Sequence, residues 1–194
     1  SELYASGICS REGCKKLAVL CSTSGPLFVI GTVGAGMFGD RGAGAILYAA
    51  HIISVAAVGI LYSLSGGRAQ GGLPAAQSGK NVLYESFYGS VQAALTAGAF
   101  IAFFYTAAAI LHDTYILYPL ESILSIFTDE NIAAGLSAGL VEMTGGCAKL
   151  AACGKDTLPY AGFLITFGGA CVISQQLSYL TKCGVRPLTF ILIK

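Results

Sequence analysis

The chain has 194 residues, of which 55% are hydrophobic and 11% charged, and its formal net charge is +1. Soluble domains carry about 25% charged residues, so this composition excludes an ordinary soluble domain and points to a membrane protein. So small a net charge offers no basic surface for nucleic acid, and no run of Lys or Arg occurs.

Four stretches lack Asp, Glu, Lys and Arg over 20 or more positions: Leu17–Gly39, Gly42–Gly67, Ser86–His112 and Thr157–Thr181. Each is long enough to cross a hydrocarbon core of about 30 Å, or to enter it and turn back. Residues 1–16 carry Arg11, Lys15 and Lys16 and form a polar approach to the first stretch. That stretch is interrupted by Ser22-Thr23-Ser24-Gly25-Pro26, a breaker cluster. It predicts a re-entrant hairpin with a hydroxyl-rich tip rather than a straight span. Pro26 suits the first position of the second arm. The neighbouring first-turn N–H groups would face whatever occupies the tip, which favours an anion.

The second arm contains Gly34-Ala-Gly36-Met-Phe-Gly39, formally a GxGxxG, followed by Asp40. No strand in a βαβ context precedes it, so it fails as a dinucleotide fingerprint. Small residues that let membrane helices approach explain it better. Gly42–Leu64 is a conventional span holding His51, which is either functional or bonded to a neighbouring carbonyl. Residues 65–80, rich in Gly, Ser and Gln, form a flexible extramembrane loop. Asn81–Gln92 reads as an interfacial helix leading into a span that runs to Leu111, with His112-Asp113 at the far surface. Tyr115–Phe127 is apolar but short, with Pro119 and Glu121, and either lies in the interface or makes a broken crossing.

Asn131–Ala148 is a helix with Gly135 and Gly139 one turn before Glu142, giving a face for close packing. Glu142 stands in an otherwise apolar segment and is followed by Thr144, Gly145 and Gly146. A Glu at the bilayer centre costs about 3 kcal/mol on insertion scales, so it needs a partner or a water-filled cavity. The glycine pair weakens the helix just beyond the acid and frees backbone groups to meet a ligand. The alternative is a helix-end Glu142 paired with Lys149. Leu158–Thr181 repeats the style of the first hairpin: an apolar arm meets Gly168-Gly169, and Ser174-Gln175-Gln176 follow. Two interrupted apolar segments in comparable positions point to a transporter site built on repeats.

Seven cysteines, three of them inside apolar segments, do not make a disulfide framework. No zinc spacing occurs and both His residues stand alone, so no metal centre is expected. Neither His has a nucleophile and base arranged around it, beyond Asp113 beside His112, so no enzyme is expected. The last residues, from Pro187, look like the opening of another helix, and the chain reads as part of a longer multi-pass protein. Arg11, Lys15, Lys16 and Arg41 outnumber Arg68 and Lys80, which orients the first hairpin toward the cytoplasm.

Three motifs in order, Cys21-Ser-Thr-Ser-Gly-Pro-Leu-Phe28, Gly139-Leu-Val-Glu-Met-Thr-Gly-Gly-Cys147 and Phe167-Gly-Gly-Ala-Cys-Val-Ile-Ser-Gln-Gln176, resemble the YlbJ-like sporulation integral membrane proteins. That family belongs to the nucleoside-recognition, or gate, group. The resemblance implies an all-α, polytopic membrane protein with two re-entrant helical hairpins and broken transmembrane helices, arranged as an inverted repeat. It implies a cell-membrane location, around the forespore of a spore-forming bacterium, and a role in moving dipicolinic acid. Gly25 stands where such proteins often have Asp, and Ser174 where they often have His.

These strands combine into one expectation, a secondary transporter for a small anionic metabolite. Ser22, Thr23, Ser24 and Gly25 bind carboxylate oxygens from one side, and Gly168, Gly169, Ser174 and Gln175 approach from the other. Glu142 orients Thr144 and the backbone N–H groups of Gly145 and Gly146, or carries a coupling proton or Na+. The expected partners are the lipid bilayer and a small carboxylate, with self-association left open. The alternatives are a non-transporting membrane scaffold or channel component, or a nucleoside transporter.

Overall fold

The computed structural model describes residues 10, 13, 16–17, 21, 23–65, 82–180 and 187–193. Ser22, residues 18–20 of the expected first arm and loop residues 66–80 lie outside them. Among the described residues every regular element is helical.

The first element, α1 (Leu27–Met37), is an 11-residue π-helix that begins directly after Pro26. Its i→i+5 pattern runs on to Phe38, whose N–H donates to the Val33 carbonyl at 3.0 Å. A coil that turns this slowly brings one face round every four to five residues or so, and Val29, Val33 and Phe38 are accordingly buried, with Gly34 beside them. Gly39, at φ 65, then reverses the chain. Asp40 opens α2 (Arg41–Ser65) by accepting the Ala43 N–H on Oδ1 at 3.1 Å. The two helices lie so close that a Cβ on Gly44 would sit 2.9 Å from the Gly34 and Ile30 Cα atoms.

Next comes α3 (Val82–Asp113), 32 residues without a break. No joint separates an interfacial helix from a span near Gln92. Its length is about 48 Å, and it presents Leu83, Phe87, Leu95 and Phe103 outward. Tyr115, at φ 58, turns the chain into α4 (Tyr118–Leu124). Seven residues reach only about 10 Å, so this segment is too short to cross a bilayer. It leans on the following helix, where Ser137 Oγ donates to Glu121 Oε1 at 2.8 Å.

Helices α5 (Glu130–Val141) and α6 (Met143–Ala152) form an antiparallel hairpin with Glu142 at its turn. Gly146 faces Gly139, and Gly135 faces Leu150. The buried glycine face expected from Gly135 and Gly139 is therefore the seam of this hairpin. After a short 3₁₀ turn, α7 (Leu158–Phe167) and α8 (Gly169–Leu180) follow. Gly168, at φ 84, interrupts them without folding the chain back, since α7 and α8 share almost no packing and the Gly168 carbonyl already accepts from Val172. Pro187 opens α9 (Pro187–Ile193).

Among the described residues, three segments are long and apolar enough to cross a membrane: Arg41–Tyr62, Leu83–Asp113 and Lys155–Leu180. Lipid tails are as apolar as these side chains, so close packing of small residues does the joining. The core comprises Val29, Val33, Leu47, Leu136, Cys147, Leu150, Leu164 and their neighbours.

Among the described residues nothing in the packing shows an inverted repeat. Helices α2 and α7 run side by side in the same direction: Lys155 Nζ donates to Asp40 Oδ2 at 2.8 Å, Leu47 lies over Gly162, and His51 reaches Thr166. The turns at Gly39 and Gly154, the end of α3 and the open end of the α5–α6 hairpin therefore share one charged end of the bundle.

Candidate functional site

Glu142 is where the second hairpin turns. Its backbone is extended, with φ −138 and ψ 113, which ends α5 and starts α6. Its side chain folds over the new helix, Oε1 accepting the Thr144 N–H at 2.8 Å and Oε2 the Gly145 N–H at 2.7 Å. This is the capping arrangement that satisfies the orphan donors of a helix N-terminus, with a negative group at the positive end of the dipole. The residue is only 2% exposed. Lys149 is not its partner; the acid is held by its own helix. The break expected at Gly145-Gly146 thus falls three residues earlier, because a Glu side chain can serve as the cap while glycines remain helical. Gly146 is spent on contact with Gly139.

The α7–α8 interruption abuts this turn. A Cβ on Gly169 would lie 2.6 Å from the Gly139 carbonyl oxygen and 3.2 Å from that of Leu140. With 10 residues in α6 and 12 in α5, Glu142 lies about 15–18 Å from the charged end. That is close to half of a hydrocarbon core of about 30 Å.

On the other side of the acid, a cleft of about 470 Å³ runs between α3 and the hairpin. Glu142, Gly145 and Tyr105 stand at its inner end, and His112, Asp113 and Lys149 at its mouth. Between them the walls are alanines, notably Ala108, Ala109 and Ala148. The Tyr105 ring covers Gly145, approaching within 3.1 Å of where a Cβ would be.

The first tip is tied down elsewhere. The Ser24 N–H donates to His51 Nε2 at 2.9 Å, and His51 Nδ1 meets Thr166 Oγ1 at 3.2 Å. A backbone N–H can only donate, so Nε2 is the unprotonated nitrogen, and the ring proton sits on Nδ1, pointing at Thr166. The imidazole, 2% exposed, thereby joins the tip, α2 and α7. The Gly25 carbonyl accepts from Phe28 and Val29 and starts α1. A wider groove of about 710 Å³ lies between α2 and α7, from Asp40 past Ile46 and Phe163 to Ser54. At the charged end, the hydrogen bond from Lys155 is the main cause that holds the Asp40 carboxyl below the usual carboxylate range, helped by the Ala43 N–H.

Of the expected site residues, Glu142, Thr144, Gly145, Gly146, Gly168 and Gly169 come together around the hairpin turn. Ser24 is half-buried against His51, while Thr23 and Gly25 are exposed beside it. Ser174 and Gln175 are half-buried on α8, and Ser22 is outside the described residues. Thr166, Tyr105 and Asp40 were not expected in the site. Asp40 followed by Arg-Gly-Ala carried a legible cap signal, whereas Thr166 and Tyr105 look like ordinary span residues. Among the described residues no group of three or more metal-ligating side chains occurs. No protein-family model, curated protein or solved structure matches the chain.

Proposed function

We propose that the chain is the membrane domain of a secondary transporter for a small anionic metabolite. Dipicolinic acid is the substrate suggested by its resemblance to the YlbJ-like sporulation proteins. The observation that carries this reading is Glu142, a buried acid at a helical turn about half a bilayer deep, beside a second helix interruption. A polar group at that depth is costly and is retained where an ion or substrate passes. Interrupted helices at mid-depth supply the backbone groups that transporters use.

In this reading α5–α6 is a re-entrant hairpin, and α2, α3 and α7–α8 are the spans, in the cell membrane of a spore-forming bacterium. The Thr144 and Gly145 N–H groups are already taken by the Glu142 carboxylate. The substrate anion is therefore assigned to the first tip, at Thr23, Gly25 and the side chain of Ser24, whose own N–H is held by His51, with Gly168, Ser174 and Gln175 approaching from α7–α8. Glu142 then serves the coupling ion. Access alternates as the hairpin turn moves against the Gly168-Gly169 joint.

One observation favours a second reading. Both Glu142 oxygens are satisfied within the hairpin, as a structural cap requires. A non-transporting scaffold would use the acid in that way alone.

Uptake of radiolabelled dipicolinate and uridine into proteoliposomes under a pH gradient separates these readings, with Glu142→Gln as the control. Saturable dipicolinate uptake, lost in the variant, is the expected result. Uridine uptake would make the substrate a nucleoside, and no uptake by a folded protein would leave the scaffold.

A further inference from the structure

We propose that the cleft between α3 and the α5–α6 hairpin is a hydrated vestibule, entered at its Asp113–Lys149 mouth, through which Glu142 exchanges a proton. This rests on the transport reading of Glu142 and names the route and the ion that serve it. The cleft reaches from the charged end of the bundle to the acid, with a volume of about 470 Å³. That space is many times what a single water needs. Its alanine walls leave it wide, and its mouth carries His112, Asp113 and Lys149, which keep it wet.

Protonation at this place has a mechanical consequence. A hydronium in the vestibule gives its proton to one Glu142 oxygen and leaves as water. The resulting hydroxyl is a much weaker acceptor at that oxygen, so the cap on the Thr144 or the Gly145 N–H is weakened. The first turn of α6 is thereby loosened, and a vestibule water can compete for that N–H. Proton binding and loosening of the hairpin turn are one event.

Among the described residues the ionisable groups around the acid are few, and Glu121 of α4 is bound to Ser137 on α5. From α3 come Tyr105 and, at the mouth, His112 and Asp113; from α6, Cys147 and Lys149. Helix α8 brings Cys171 within reach of the Glu142 charge. Helix α1 carries no ionisable residue, α5 only Glu130 at its far end, and α7 only Tyr160 near its start. None stands between Glu142 and the cleft, so the water path is its route to solution.

The test is labelling of the full protein in sealed vesicles of one orientation, read by mass spectrometry and independent of uptake. A water-soluble, membrane-impermeant carbodiimide is compared with dicyclohexylcarbodiimide, which partitions into lipid. We expect the water-soluble reagent to modify Glu142 from one side only, less as the pH is raised. Ala148→Leu and Ala109→Leu, on opposite walls of the cleft, should lower that labelling to the background of Glu142→Gln and leave Glu130 labelling unchanged. Modification by the lipid-soluble reagent alone, modification from both sides, or wild-type labelling in both leucine variants would overturn the vestibule. Failed uptake with successful one-sided labelling would sink the transport reading and leave the vestibule standing.

Discussion

Replacing Gly146 with Ala tests the seam on which the hairpin depends. The new Cβ would stand 2.6 Å from the Gly139 nitrogen and 2.9 Å from the Gly135 carbonyl oxygen. Ordinary contacts are about 3.5 Å, so α5 and α6 must part by about 1 Å. The obstruction is backbone, which cannot rotate away. A gap of that size forfeits a quarter to a half or so of each dispersion contact along the seam. The cost belongs at the upper end of overpacking, about 2–3 kcal/mol. For a chain of this size that is a fall of about 5–10 °C in Tm. Cys147, buried beside the seam, is the natural reporter, because a thiol-reactive dye reaches it only when the hairpin opens. Gly98→Ala on α3 is the control: its Cβ meets nothing within 4 Å, and alanine should gain up to about 1 kcal/mol of helix propensity there. Equal melting of the two variants would refute the close packing of α5 on α6.

Two further outcomes are expected. The Asp40–Lys155 pair holds the Asp40 carboxyl below its ordinary value, so its contribution is present above the unfolded carboxylate range, near pH 4 or so, and is lost as the pH falls through the folded value. Melting of wild type and Asp40→Asn should therefore differ at neutral pH and converge in acid, with the gap narrowed by salt because the pair is exposed; a gap that persists in acid would contradict it. His51→Ala leaves the Ser24 N–H without its acceptor, at a cost of about 1–3 kcal/mol. Hydrogen exchange at Ser24 should rise by a factor of about 5 to 150, and unchanged exchange would mean that the tip is not tethered by His51.

Much of this architecture could be read from where charges stop. Gly42–Gly67, Ser86–His112 and Thr157–Thr181 coincide with α2, α3 and α7–α8 because a crossing helix must keep ionised groups out over its whole length. The glycines at 34, 135 and 139 were legible as contact points for the same reason: a missing side chain in an apolar helix invites a neighbour. What was not legible was the direction of the chain at two places. Gly168-Gly169 and Glu142 look alike in sequence, each an interruption in an apolar run, yet the chain continues at one and reverses at the other. The difference lies in what packs there, Gly139 with Gly146 in one case and the Gly139 carbonyl against Gly169 in the other. Contacts of that kind are set by tertiary approach. The His51 bridge was hidden likewise, since its partners lie 27 and 115 residues away.

The shared charged end of the bundle has a consequence for the lipid around it. Among the described residues, α1, α2, α3, α5, α6 and α7 stand together on that side of the Glu142 turn, with the short α4 against α5. Beyond the turn, α2, α3 and α8 are the long described helices that continue, apart from the short α9. With each helix about 10 Å across, the cross-section falls from about 480 Å² to about 240 Å². In a bilayer the described helices by themselves make a wedge, displacing about twice as much area in one leaflet as in the other. Lipids must fill the difference, and they do so at least cost where the membrane already bends toward the narrow side. Curvature, quite apart from any bound ligand, would then set where this protein gathers.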